Sequence, residues 1–114
     1  MGNDVKMSVR KRDAVAIIEL KGEVTSFADE MLNLLINGIV AEGIQKIALN
    51  FTDVSYINSS GIAVLIGIVT SLTNKGILFK VYGLTPHFKK IFRMIGLTQY
   101  VSVLNTEEDA IAAF

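Results

Sequence analysis

The sequence predicts an α/β domain in which helices pack on a mixed β-sheet. Short runs of β-branched residues alternate with longer segments whose apolar residues recur every three or four positions. The first run follows a segment of alternating apolar and polar residues, which favours an antiparallel hairpin. Further along, a strand, a helix and a strand follow one another through short connections. This order predicts parallel pairing and a right-handed βαβ crossover.

The first two strands are predicted near the start of the chain. Residues 15–20 form a β-branched run between charged residues, which is typical of a strand. Before this run, residues 5–10 alternate between apolar and polar types. They are therefore expected to form an edge strand that pairs with the first run and turns its polar side to water.

The first helix is predicted to begin at Ser26, an N-cap residue with Asp29 three positions later, and to end at Gly43. Several of its apolar residues are spaced by three and four positions, so they are expected to pack on the sheet. This predicted core face consists of Phe27, Met31, Leu34, Leu35 and Gly38.

A βαβ unit is predicted in the middle of the chain. Residues 46–51 are almost uniformly apolar, as is typical of a central strand. A helix from about Ser60 to Thr73 follows, and residues 74–76 form a favourable C-terminal cap. Residues 77–82 are predicted to be the next strand.

Two further helices bring the predicted number to about four. Thr85 caps the third helix, which has Pro86 at its first position and ends at Gly96. A short strand near residues 100–103 and a last helix capped by Thr106 complete the fold. The residues of the third helix expected to face the core are Phe88, Ile91, Phe92 and Ile95.

The composition excludes several classes of protein. A chain of 114 residues is long enough for one sizeable core, so a single domain over residues 1–114 is expected. The 11 basic and 11 acidic side chains balance, so neither nucleic acid nor an anionic membrane is expected as a partner. The absence of cysteine excludes disulfides and thiolate chemistry. No signal peptide or membrane span is recognised, so a cytoplasmic location is expected.

Neither a catalytic site nor a metal site is predicted. The only histidine is His87, in the first turn of a predicted helix, and the nucleophile elbow of serine hydrolases is missing. Asp53 is the only acidic residue between Glu42 and Glu107, which argues against a cluster of carboxylate ligands. No phosphate-binding glycine loop is present either. We therefore expect a protein that is not an enzyme and carries no cofactor.

The segment from Asn58 to Ser60 is the most informative part of the sequence. It follows a strand and precedes an apolar helix, and it offers three residues able to cap a helix where one suffices. A hydroxyl group here lies beside the unpaired N–H groups and the positive end of the helix. A phosphate on it would add roughly two negative charges. The two interpretations of this segment are a simple helix cap and a phosphorylation switch.

The order Asp-x-Ser-x-Ile, a polar residue, Ser-Ser-Gly and an apolar helix resembles the STAS domain of bacterial anti-sigma factor antagonists. Further similar segments are residues 20–24 (Leu-Lys-Gly-Glu-Val), residues 76–81 and residues 86–97. The resemblance therefore extends over nearly the whole chain.

This resemblance implies a binding protein that, when unphosphorylated, sequesters an anti-sigma factor that is also a serine kinase. Phosphorylation of the first serine of the motif, here Ser59, would break that complex. The implied partners are this kinase, a serine phosphatase and other STAS proteins, and neither a catalytic nor a metal site is implied. The implied partner-binding residues are Gly22, Glu23, Val24, Thr25, Asp53, Ser55, Tyr56, Asn58, Ser60 and Gly61.

Two positions depart from the pattern of the family. Asn58 and Thr25 stand where the family has Asp, so the local charge differs by about two units. Both residues keep their hydrogen-bonding capacity, and Asn caps a helix as well as Asp does. Two other functions are open alternatives. The first is a scaffold subunit of a multi-STAS signalling assembly, and the second is a regulatory domain that binds a small molecule at the carboxyl ends of its strands.

Overall fold

The computed structural model describes residues 5–114, which form five β-strands and four α-helices. A short 3-10 helix, Leu97–Gln99, precedes the last strand. The strands are β1 (Val5–Arg12), β2 (Val15–Val24), β3 (Lys46–Ile57), β4 (Leu78–Tyr82) and β5 (Ser102–Leu104). The helices are α1 (Ala28–Ala41), α2 (Ser59–Asn74), α3 (Pro86–Met94) and α4 (Glu107–Ala112).

The strands form one sheet in the order β1-β2-β3-β4-β5. β1 is antiparallel to β2, and the remaining neighbours are parallel. α1, α2 and α3 are the crossovers between successive parallel strands, and right-handed crossovers place all three on the same face of the sheet. The predicted mixed sheet and βαβ unit are confirmed.

Apolar side chains pack on both faces of the sheet, because successive strand residues point to opposite sides. Ile18 and Leu49 are fully buried in the larger cluster, which lies under α1, α2 and α3. In the same cluster the rings of Phe51 and Phe92 meet edge to face, with centroids 5.8 Å apart. The smaller cluster, on the other face, joins the sheet to α4 through Val15, Ile17, Ala48, Tyr82 and Ala110.

The carboxylate of Glu107 anchors α4 to this second face. Arg10 donates two hydrogen bonds to it, the guanidinium group of Arg12 lies 2.6 Å away, and the hydroxyl group of Tyr82 donates from 3.1 Å. These donors, Arg10 foremost, favour the charged carboxylate and lower the pKa of Glu107 to about 2. Burial and the bond to Glu107 raise the pKa of Tyr82.

The start of α1 differs from the prediction. α1 begins at Ala28, Phe27 occupies the N-cap position, and no side chain caps the helix. The hydroxyl group of Thr25 accepts a hydrogen bond from the N–H of Phe27 (3.3 Å), and the carbonyl group of Ser26 accepts one from the N–H of Asp29 (3.2 Å). A turn at Thr25 therefore precedes the helix, and Ser26 is not its cap.

The predicted core face of α1 is wrong. Phe27, Met31, Leu34 and Gly38 are exposed, and Leu35 is only partly buried. Two stripes with helical spacing run along this segment, and the turn before α1 orients the other stripe towards the sheet. That stripe includes an alanine, whose small side chain lets the helix approach the strands closely. The residues that do face the core are Ala28, Leu32, Ile36 and Ile39.

β2 and β3 extend beyond their predicted ends. β2 continues to Val24 and β3 continues to Ile57, so residues expected in loops belong to paired strands. Two register shifts between these strands accommodate the added length. The extension holds the end of β2 beside the start of α2.

The caps of the later helices are as predicted. The hydroxyl groups of Thr85 and Thr106 each accept a hydrogen bond, at 3.1 Å, from the N–H three residues further on. Phe88 and Phe92 of α3 are buried. Ile95 is exposed rather than buried, because α3 ends at the preceding residue.

The charge of Glu107 should make stability depend on acid pH. Its pKa falls from 4.5 to about 2 on folding, so its contribution is complete above pH 4.5 and is lost as the pH falls towards 2. Glu107→Gln should therefore lower the free energy of unfolding at neutral pH. Urea titrations should show the difference between wild type and variant shrinking over that interval.

Glu108→Gln is the matched control for this prediction. Glu108 is exposed and, within residues 5–114, its only ion pair is with Arg12, at 3.3 Å, so its replacement should change stability little at any pH. A difference between wild type and Glu107→Gln that stays constant from neutral pH to pH 2 would contradict the role given to the carboxylate.

Candidate functional site

Asn58 caps α2. Its backbone is extended (φ −95°, ψ 178°), and its side-chain oxygen accepts a hydrogen bond from the N–H of Gly61 at 2.8 Å. Its carbonyl group accepts the first helical bond, from the N–H of Ile62 at 2.9 Å. Of the three residues able to cap this helix, the structure uses Asn58.

Ser59 and Ser60 are the first two residues of α2, and both are exposed. Within residues 5–114, neither hydroxyl group takes part in a hydrogen bond. Their backbone N–H groups belong to the first turn, where no intrahelical acceptor exists. The hydroxyl group of Ser59 is thus free for modification without loss of a structural contact.

A close approach between Gly61 and β2 fixes the position of this helix start. A Cβ atom on Gly61 would lie 2.0 Å from the carbonyl oxygen of Val24, so only glycine fits. The same oxygen accepts a hydrogen bond from the N–H of Asn58 at 3.3 Å. One carbonyl group therefore joins the end of β2 to the beginning of α2.

The pairing of β2 with β3 adds further residues to this site. Glu23 lies opposite Tyr56 in the parallel register, and the hydroxyl group of Ser55 donates to the carbonyl group of Gly22 at 3.2 Å. Ser55 and Tyr56 are exposed. We define the Ser59 site as the accessible residues at this position, namely Glu23, Ser55, Tyr56, Asn58, Ser59 and Ser60.

Apart from the accessible residues of the Ser59 site, the residues implied by the resemblance fall into three groups. Val24, Thr25 and Gly61 are buried next to the Ser59 site, and their close backbone contacts fix its position. Gly22, half-buried, holds Ser55 through its carbonyl group. Asp53 is exposed, lies opposite Lys21 in the parallel register, and lines a cavity of about 280 Å³ with residues of β1 and β2.

The sequence missed one exposed aromatic residue near the site. Phe27 was assigned to the core, yet it is 69% exposed and stands two residues after Thr25. The only signal that could have identified it is the second apolar stripe of α1. Together with Tyr56, Phe27 supplies apolar surface close to the Ser59 site.

The Ser59 site is electrically neutral at the helix start. The first turn of α2 contains no acidic and no basic residue, so the helix dipole and the free N–H groups dominate there. Among residues 5–114, no three histidine, aspartate or glutamate side chains are placed to hold a metal ion. No helix in the same range is long and apolar enough to cross a membrane.

The crevice at the carboxyl ends of the strands, where a small molecule could bind, is constricted between β3 and the residue after β4. Gly83 packs against Thr52, since a Cβ atom on Gly83 would lie 2.4 Å from the hydroxyl oxygen of Thr52 and 2.8 Å from its backbone nitrogen. The backbone at the end of β4 thus closes on β3 there. Space for a ligand between these strand ends is correspondingly limited.

A family model of the STAS domain matches residues 6–110. The chain belongs to the STAS domain family. Among curated STAS relatives, the anti-sigma-B factor antagonist of Listeria monocytogenes is 27% identical over 106 residues, which cover 91% of this chain and 92% of that protein. The protein of the same name from Listeria innocua gives the same values.

Solved structures share the STAS fold. An anti-sigma factor antagonist from Mycobacterium paratuberculosis has a TM-score of 0.80 at 20% identity, covering 96% of this chain and 93% of that one. SpoIIAA in its unphosphorylated form gives 0.73 at 22% identity, with 95% and 96% covered. The Bacillus cell fate determinant SpoIIAA in the phosphorylated form gives 0.71 at 24% identity, with 95% and 98% covered.

Gly61→Ala should disrupt the site. The added methyl group meets backbone rather than a flexible side chain, so we expect unfolding free energy to fall by roughly 1–3 kcal/mol. Gly67→Ala is the control, because nothing lies within 4 Å of a Cβ atom at Gly67 and alanine favours a helix interior by about 1 kcal/mol. Chemical denaturation measures both variants, and equal stability of the two would refute the close contact.

Proposed function

We propose that this STAS domain is an anti-sigma factor antagonist. In this proposal the unphosphorylated chain binds an anti-sigma factor through the Ser59 site, and phosphorylation of Ser59 ends the binding. The function is non-catalytic, and the chain acts in the cytoplasm by occupying its partner. The names of the Listeria and Mycobacterium relatives support the class of partner.

The free hydroxyl group of Ser59 is the observation that carries the proposal. Asn58 provides the helix cap and Gly61 provides the contact with β2, so Ser59 has no structural task. A kinase requires an accessible hydroxyl group on its substrate, and the hydroxyl group of Ser59 is accessible. The anti-sigma factor is therefore proposed to be the serine kinase as well, and a serine phosphatase would restore the binding form.

The switch follows from the cost of burying charge. A partner that covers the Ser59 site must remove water from it. Because the helix start carries no charged side chain, the free-energy cost of this desolvation is small. A phosphate on Ser59 carries roughly two negative charges, and the first turn of α2 offers no cation to pair with them. Burial of this unpaired charge against the partner would cost several kcal/mol, which is enough to end binding.

Substitution of Ser59 should separate the two states. Ser59→Asp imitates part of the phosphate charge and should weaken binding of the anti-sigma factor at least about tenfold, whereas Ser59→Ala should keep wild-type affinity. Ser60→Asp is the matched control for a nearby charge, and we expect it to weaken binding less. Calorimetric titration with the purified anti-sigma factor measures all three variants.

Two outcomes would count against this switch. Equal affinity of Ser59→Asp and Ser59→Ala would show that charge at Ser59 does not control binding. Incorporation of phosphate by Ser59→Ala at the wild-type rate would place the modified residue elsewhere. Mass spectrometry of the kinase reaction decides the second point.

Phosphorylation should leave the fold of the domain intact. The helix N-terminus stabilises a nearby anion by up to about 1 kcal/mol, and Asn58 adds no carboxylate that would repel it. The melting temperature of the phosphorylated domain should therefore equal or slightly exceed that of the unmodified domain. Amide chemical shifts should change only around α2 and the end of β2; changes throughout the sheet would contradict a switch that acts by surface charge.

A further inference from the structure

One lateral side of the helix layer is apolar. Phe27, Met31 and Leu34 are 69%, 43% and 66% exposed, and their spacing of four and three places them on one stripe of α1. Asp29 and Asn33 line a groove together with residues of α2, so that side of α1 faces α2. At 3.6 residues per turn, the stripe is turned away from α2. We call Phe27, Met31 and Leu34 the apolar edge.

The opposite side of the helix layer is basic. α3 contains one histidine, two lysines and one arginine and no acidic residue. Lys89 and Arg93 line a depression of about 250 Å³ beside β5, which is the last strand of the sheet. Met94, at the end of α3, is 73% exposed. We call the following residues the basic edge: Lys89, Lys90, Arg93, Met94 and Val103.

The cations of the basic edge have no acidic partner within residues 5–114. All ion pairs within these described residues use cations of β1, and one example is Lys11 with Glu42 at 3.0 Å. Conversely, Glu30 is exposed and takes part in none of these pairs. It stands three residues after Phe27 and four before Leu34, so it borders the apolar edge. The basic edge thus carries positive charge without an acidic partner, and the apolar edge is bordered by the negative charge of Glu30.

We propose that the apolar edge of one copy of this chain docks on the basic edge of a second copy. Phe27 would enter the depression between Lys89 and Arg93, whose methylene chains cover apolar surface and whose charges favour an aromatic ring. Leu34 and Met31 would pack beside Met94 of the second copy. Glu30 would approach Lys90, which supplies the charge complementarity of the contact.

This contact differs in kind from a symmetric dimer. The two edges are different surfaces on opposite sides of the domain, so docking leaves one edge free on each copy and allows further copies to add. A symmetric contact between the apolar edges of two α1 helices would bring the Glu30 carboxylates of both copies close together, and α1 contains no cation to offset them. It would also leave the cations of α3 without partners.

The proposal is independent of the function proposed for Ser59, because neither edge contains a residue of the Ser59 site. The test uses two variants of the full chain, Leu34→Lys on the apolar edge and Arg93→Glu on the basic edge. Each variant alone should be monomeric. An equimolar mixture should form a dimer and stop there, since the intact basic edge of the first variant meets the intact apolar edge of the second.

Sedimentation velocity from about 10 μM to about 1 mM covers the weak association expected of a small contact. For wild type and for the control Ser71→Lys, the apparent mass should rise with concentration beyond that of two protomers. Ser71 is an exposed residue of α2. Circular dichroism checks that each variant is folded. Glu30→Lys replaces Leu34→Lys if the latter unfolds, since Glu30 is exposed.

Three results would overturn the proposal. Wild type that stays monomeric over the whole range excludes the contact. Arg93→Glu that dimerises alone indicates a symmetric contact through α1. A mixture of the two variants that remains monomeric, when wild type associates, shows that the two edges do not meet each other.

Discussion

The contact between Gly61 and the carbonyl group of Val24 is the constraint on which the rest of this site depends. β2 must extend to Val24 for its carbonyl oxygen to reach α2, and β3 must extend with β2 to supply the start of that helix. The oxygen also accepts a hydrogen bond from Asn58, at 3.3 Å. Because a Cβ atom at Gly61 would lie 2.0 Å from it, the approach is possible for glycine alone. Ser59 is therefore held in place by its neighbours rather than by its own side chain.

This division of tasks explains why a neutral Asn58 suits the site. Asn58 satisfies the N–H of Gly61 as an aspartate would, but it places no charge beside Ser59. An aspartate would compete with a phosphate for the same positive helix end and would repel it. With Asn58 the unmodified site is uncharged at the helix start, so phosphorylation produces a larger relative change in charge. The chain departs from the family pattern at a position where the departure sharpens the proposed switch.

Local signals predicted much of this fold, and packing decided the rest. The presence of the strands and the caps at Thr85 and Thr106 follow from neighbouring residues and were recognisable from the sequence. The start of α2, predicted at about Ser60, lies at Ser59. The rotation of α1 was not, because two stripes share helical spacing and only the turn at Thr25 selects between them. The paired extension of β2 to Val24 includes two register shifts between β2 and β3, which the sequence does not reveal. The bond between Arg10 and Glu107 joins residues 97 apart in the chain, and no local pattern indicates it.

The Ser59 site and the two edges occupy different parts of the same layered domain. α2 begins where β3 ends, so Ser59 lies at the carboxyl end of the parallel strands, whereas the edges lie on the two flanks of the helix layer. Docking through the flanks therefore uses none of the residues of the Ser59 site. An array built by one repeated contact would present these sites at regular intervals, and a partner with two binding surfaces would gain affinity from simultaneous engagement. Each phosphorylated Ser59 would remove one such attachment, so binding would fall in steps that depend on how many neighbouring copies are modified.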